Sequence, residues 1–164
     1  MESQIVIMVQ VAATAWTREA LHCACVMARQ QSARIVLMKF VPVQHLSWLG
    51  TDLTQQSLSD REQQELADYQ TTLEDYGVDF CTQFFQFATL AEAVAQAAEY
   101  VAAQVVFAML PKSVIPFWRS YQLRSLQHSL ALSGCAFIEN PTYVQAMPPL
   151  TEAPSIQVRT QTSG

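Results

Sequence analysis

Three cations and a hydroxyl, Lys112, Arg119, Arg124 and Ser125, lie close together in the stretch FAMLPKSVIPFWRSYQLRSL, residues 107–126. Ammonium, guanidinium and hydroxyl donors at such spacing are what an anion such as a phosphate requires. The same stretch carries Phe117, Trp118 and Tyr121, with His128 just beyond. Trp, Tyr and Arg are the residues enriched at interface hot spots, so a second chemistry competes with the first: an aromatic surface for a protein partner. Each has a plainer alternative. The bases could be solvated side chains near a helix start, and Trp118 could tuck under the 43–58 segment as peripheral core.

Other reactive residues do not converge. His22, His45 and His128 sit on separate elements, none beside a Ser or Cys nucleophile in sequence. His22 and Cys25 share a helical face, but two ligands do not make a zinc site. Cys23 and Cys25 point to different sides of a helix, and the acids between 60 and 75 read as a solvated face. The expectation is a protein without catalytic or metal chemistry.

The elements that would position these side chains follow from periodicity. Gln4–Gln10, Arg34–Val41, Val78–Phe87, Gln104–Leu110 and Cys135–Glu139 are short apolar runs suited to strands buried on both faces. Between them lie helical patterns. The first has Leu21, Ala24, Cys25 and Ala28 on one face, with Thr14 and Thr17 as capping candidates. The second opens on the capping box Ser59–Glu62 and stops at Gly77, and the third opens on Thr89–Glu92. The last spans Trp118–Leu132 and ends at Gly134. On it Leu123, Leu126 and Leu130 form a stripe for the sheet, while Trp118, Tyr121, Ser125, His128 and Leu132 form a stripe for solvent or a partner. Five strands alternating with helices predict a single-domain α/β fold with a parallel sheet covered on both faces.

Several of these strings resemble the universal stress protein family. QIVIMVQ resembles its first strand, RIVLMKFVPV its second strand with the exit loop, and AAQVVFAML its fourth. The likeness runs from Gln4 to Asn140. It implies a flavodoxin-like strand order 3-2-1-4-5, with ligands at the switch point beyond the strand ends. That placement makes Gln10, Val41, Lys112, Arg124 and Ser125 the ligand-side positions. It also implies a homodimer, through the last strand, whose uncovered edge invites pairing. The family's nucleotide-binding members carry an aspartate where Gln10 stands, and a glycine-rich loop after strand four. Here no glycine occurs between Gly77 and Gly134, and Pro111 removes a backbone donor. The usual phosphate cradle is therefore absent, which disfavours ATP or AMP as a cofactor and favours a protein partner at Phe117, Trp118, Tyr121 and His128. A nucleotide- or anion-sensing variant using Lys112, Arg124 and Ser125 is the alternative.

Bulk properties suggest either a very buried sheet or a surface covered by partners. The 164 residues are 51% apolar and 14% charged, with mean hydropathy +0.13, which argues against disorder. A net charge of −5 disfavours nucleic acid as a partner. Yet residues 100–138 hold Lys112, Arg119 and Arg124 with no acid. No run is long enough to cross a bilayer, and the N-terminal MESQIVIMVQ lacks the basic start of a secretory signal. A cytoplasmic protein with reduced thiols is expected, comprising a domain over residues 1–140 and a flexible tail over 141–164.

Overall fold

The computed structural model describes residues 3–42, 58–112, 115 and 117–141. The order is β1 (Val6–Gln10), α1 (Thr14–Gln31), β2 (Arg34–Pro42), α2 (Asp60–Tyr76), β3 (Phe80–Phe87), α3 (Leu90–Tyr100), β4 (Val105–Phe107), α4 (Trp118–Leu132) and β5 (Ala136–Ile138). All pairings are parallel, in the order β3-β2-β1-β4-β5. This is the expected doubly covered α/β sheet.

Strand alternation divides the core in two. Ile7, Val9, Ile35, Leu37, Val105 and Phe107 face the α1–α2 layer, where Leu21, Cys25 and Leu73 meet them. Met8, Val36, Met38 and Val106 face the α3–α4 layer and pack with Val94, Ala97, Leu126 and Leu130. Successive residues therefore serve opposite faces, which is why the central strands read as unbroken apolar runs.

Apart from β2, which runs one residue longer to Pro42, the strands are shorter than the apolar runs suggest. β1 begins at Val6, whose N–H donates to Gln104 Oε1 at 2.7 Å. β4 is only Val105–Phe107, and β3 starts at Phe80. Helix starts also differ from expectation. Neither Thr14 nor Thr17 caps α1, whose N-cap is Ala13. Thr17 is instead buried within the first turn, accepting from Ala12 N–H at 2.9 Å and donating to the Ala13 carbonyl at 3.0 Å. The Ser59–Glu62 capping box forms on both sides, but the one expected at Thr89–Glu92 does not: Thr89 makes no side-chain cap bond.

Pro141 is buried, and its carbonyl accepts from Cys23 Sγ at 3.3 Å. Residues 142–164 of the expected tail lie outside the described residues.

Candidate functional site

The right-handed parallel topology puts the N-termini of α3 and α4 at the same end of the molecule, beyond the strand C-termini. Two places there carry the residues singled out from sequence: the strand-end switch point and the groove between α3 and α4.

At the switch point, Gln10 is the last residue of β1 and is only 4% exposed. Its Oε1 accepts the Met109 N–H at 2.8 Å, two residues past the end of β4. The neighbouring Ala108 N–H donates to Ile138 on the β5 side at 3.2 Å. The chain after β1 turns away, with Val11 N–H bonding Met38 on β2 at 2.9 Å. The glutamine carbonyl thus takes the place of the backbone acceptor that a longer β1 would have offered β4. A buried N–H left without a partner would cost about 1–3 kcal/mol, so the side chain has structural work here. Gln10 and Ala108 are both buried at these strand ends. Val41 is half-buried near the end of β2, opposite Gln86 of β3.

Lys112, Arg124 and Ser125 are all exposed. Lys112 follows β4 on the strand exit, Arg124 lies on the solvent side of α4, and Ser125 lines the groove toward α3. Among the described residues no hydrogen bond or ion pair joins the three. The fourth group, Arg119, is committed elsewhere. Its guanidinium pairs with the Glu139 carboxylate, and its Nε donates to the Leu110 carbonyl at 3.4 Å. Glu139 is a junction: its carbonyl also accepts from Trp16 Nε1 at 2.7 Å. Arg119 therefore ties the first turn of α4 to the ends of β4 and β5 and is not available to an anion.

The groove between α3 and α4 encloses about 570 Å³. Trp118 and Tyr121 form its aromatic end, stacked with ring centroids 5.7 Å apart and planes at 25°. Trp118 is 48% and Tyr121 65% exposed, so neither is covered as peripheral core. Residues 43–57 of the segment that might have covered Trp118 lie outside the described residues. Phe117 stands beside them, 86% exposed, in the left-handed region with φ +69° and no side-chain cap to α4. For a bulky residue that conformation costs on the order of 1–3 kcal/mol, and such strain clusters at functional sites.

The wall that α4 offers is turned slightly from the expected stripe. Trp118, Gln122, Ser125, Ser129 and Ser133 line the groove together with Tyr121. His128 is exposed but does not line it, and Leu132 is also exposed, at 76%. The α3 wall contributes Thr89, Ala91, Glu92, Ala95, Gln96 and Glu99. Glu92, once free of the capping role expected for it, is a wall residue, and that change could not be read from the local pattern.

The thiols are poor candidates for chemistry. Burial pushes Cys25 and Cys135 up to about 11, and burial assisted by Glu19 raises Cys23 as well. A thiol held protonated is neither a nucleophile nor a ready metal ligand. Among the described residues no three His, Cys, Asp or Glu side chains gather as a metal site, and no helix is long and apolar enough to cross a membrane.

No protein-family model matches the sequence, and no curated protein matches it significantly. Solved structures do. A universal stress protein family member from Burkholderia pseudomallei superposes with a TM-score of 0.58 at 19% identity, covering 83% of this chain and 95% of that one. The chain has the universal stress protein fold. A universal stress protein solved in complex with cAMP gives a TM-score of 0.56 at 11% identity, over 85% of this chain and 98% of its own. One from Archaeoglobus fulgidus in complex with dAMP gives 0.51 at 11% identity, over 84% and 98%. The fold and strand order implied by QIVIMVQ, RIVLMKFVPV and AAQVVFAML are therefore correct.

Proposed function

We propose that this protein is a non-catalytic regulatory module of the stress-response type that acts in the cytosol by docking a protein partner on α4. The observation that carries the reading is the Trp118–Tyr121 stack, half or more exposed at the mouth of a groove, with Phe117 beside it. Large aromatics left to water at one place are what binding surfaces supply. The free state of all four cysteines suits a reducing compartment. A homodimer is part of the proposal, because among the described residues β5 pairs only with β4, and a free edge invites pairing.

Affinity capture from the native cell tests the reading. The wild type should retain a partner that the double variant Trp118→Ala, Tyr121→Ala loses while remaining folded. Recovery of the same partner by both proteins would count against it.

Nucleotide sensing is the second reading. Its support is the cAMP and dAMP bound by two similar structures, together with the exposed Lys112 at the strand exit. Against it stand the absence of glycine between β4 and Gly134, and the Gln10–Met109 bond at the strand ends. A calorimetric titration with ATP, AMP and cAMP decides between them. Millimolar nucleotide without heat supports the protein-partner reading, and binding abolished by Lys112→Ala supports the second.

A further inference from the structure

The groove's charged lining is of one sign. Glu92 and Glu99 stand on the α3 wall, and among the described residues no basic side chain lines the space. The two acids are two helical turns apart, so their attachment points are separated by about 10 Å along the helix. Beside Glu92, at the N-terminal end of both helices, lies the stacked Trp118–Tyr121 pair, and the remaining lining is Ser, Thr, Gln and Ala with Leu126 at the floor. An occupant that complements this must offer positive charge at that spacing and an apolar face against the rings. Arginine satisfies both, since its guanidinium pairs with a carboxylate and also stacks on aromatic faces.

We infer that the groove receives a cationic amphipathic helix of a partner protein, with arginines two turns apart reaching Glu92 and Glu99 and its apolar side resting on Trp118 and Tyr121. The inference rests on the docking reading and names the chemistry of its partner. Spacing supplies the specificity: arginines at i and i+7 match both acids, whereas arginines at i and i+2 cannot reach them together. Because the acids are exposed, the attraction weakens with salt.

The probe is a set of capped helical peptides of ~16 residues on an alanine-leucine background, long enough to hold helix. One carries Arg at i and i+7, one Gln at those positions and one Glu. Binding to the full chain is read by anisotropy of a labelled peptide. The arginine peptide should bind about tenfold tighter than the glutamine peptide, which is what two exposed ion pairs and a cation–π contact supply together. The Glu92→Lys, Glu99→Lys variant should lose that preference and gain one for the glutamate peptide.

Equal binding of the arginine and glutamine peptides, with both lost in Trp118→Ala, would overturn the charge inference and leave the docking reading standing. Binding by no peptide at millimolar concentration would overturn the inference, while partner capture by the wild type would still be judged separately. Two other occupants are also open to detection. Arginine-peptide binding that appears only after residues 142–164 are removed would assign the groove to the chain's own tail. A dimer dissociated by Glu92→Lys, Glu99→Lys would assign it to a second copy. Either result overturns the inference.

Discussion

The helices α2 and α4 begin in opposite ways. α2 opens on Ser59, whose hydroxyl accepts from Glu62 N–H while the Glu62 carboxylate returns a bond to Ser59 N–H at 2.9 Å. Acids occupy its first turn, as the helix dipole prefers. α4 opens on a phenylalanine in the left-handed region, with no side-chain cap and no acid in the first turn. Every local rule that stabilises a helix start is obeyed at one and broken at the other. The broken one is where the exposed aromatics collect. Natural proteins tend to violate local rules where function demands a particular display, so the contrast separates a start built for stability from one built for presentation.

The contrast also divides α4 along its own length, and the largest expected effect tests that division. Leu126 is 2% exposed in the core between sheet and helices, whereas Trp118 on the groove side is half exposed. Leu126→Ala should cost about 3 kcal/mol, the range for emptying a packed core position. Trp118→Ala should cost about 1 kcal/mol or less, because most of its lost contact is with water and one ring. Urea unfolding of the two variants compares them directly. A Trp118→Ala loss as large as that of Leu126→Ala would make the tryptophan core and remove the contrast.

Next in size is Arg119, the one residue of the α4 start that does hold the fold together. Removing its guanidinium takes the ion-pair partner from the Glu139 carboxylate, which is about a quarter exposed. The pair is neither fully buried nor fully solvated, so Arg119→Ala should cost about 1–2 kcal/mol. The double variant Arg119→Met, Glu139→Gln should recover part of that, because it leaves no unpaired charge. No recovery in the thermal midpoint would show that the packing of the arginine stem, and not the charge, is what matters.

How far all this was legible follows the range of the interactions involved. Helix content came from patterns a few residues long, and the bounds of α4, Trp118–Leu132, were read correctly for the same reason, whereas the strand order was what the family resemblance implied. The Ser59 box was legible because donor and acceptor are three residues apart. The role of Arg119 was not, since its partner lies twenty residues on. The acid-free window drawn over 100–138 ended one residue before Glu139. Gln10 was placed at the ligand side by resemblance, while its bond to Met109 is a contact across 99 residues. The stripe expected to face solvent or a partner is exposed at Trp118, Tyr121, Ser125, His128 and Leu132, but the groove takes only part of it. A repeat through 118, 121, 125 and 128 drifts off the line that packing against α3 selects, which runs through 118, 122, 125 and 129. Thr89–Glu92 satisfies the capping pattern and still makes no side-chain cap bond, because a pattern gives the opportunity for a bond and not the backbone geometry that closes it.

The strain at Phe117 gives a smaller effect with an unusual sign. Glycine adopts φ +69° without the clash that a Cβ meets, and Phe117 has little burial to lose. Phe117→Gly should therefore raise stability by about 0.5–1 kcal/mol. The same variant should weaken partner capture, since it deletes the most exposed aromatic of the surface. Stability and binding moving in opposite directions is the signature of a residue kept for display. A variant that is both less stable and still competent to bind would break the comparison at its origin.

The smallest effect comes from the α2 side and depends on pH. Bonds from the Ser59 backbone and hydroxyl, with help from Lys39 at 3.3 Å, hold the Glu62 carboxyl below its ordinary value of 4.5. A carboxylate whose folded value is depressed contributes stability that is present above the unfolded value and lost as the pH falls through the folded one. The Glu62→Gln variant should thus be less stable than the wild type at neutral pH, and the gap between their thermal midpoints should close in acid, starting near pH 4.5. Glutamine can still accept from the Ser59 N–H, so the gap isolates the charge and leaves the geometry of the box in place. Since the group is largely solvated, the gap at neutral pH should also shrink in high salt. α4 has no such carboxylate at its start, so no substitution in residues 117–121 should show this acid-dependent convergence. A midpoint gap for Phe117→Gly that closed over the same pH range would mean that the two helix starts are coupled, and that the strain at Phe117 is not local.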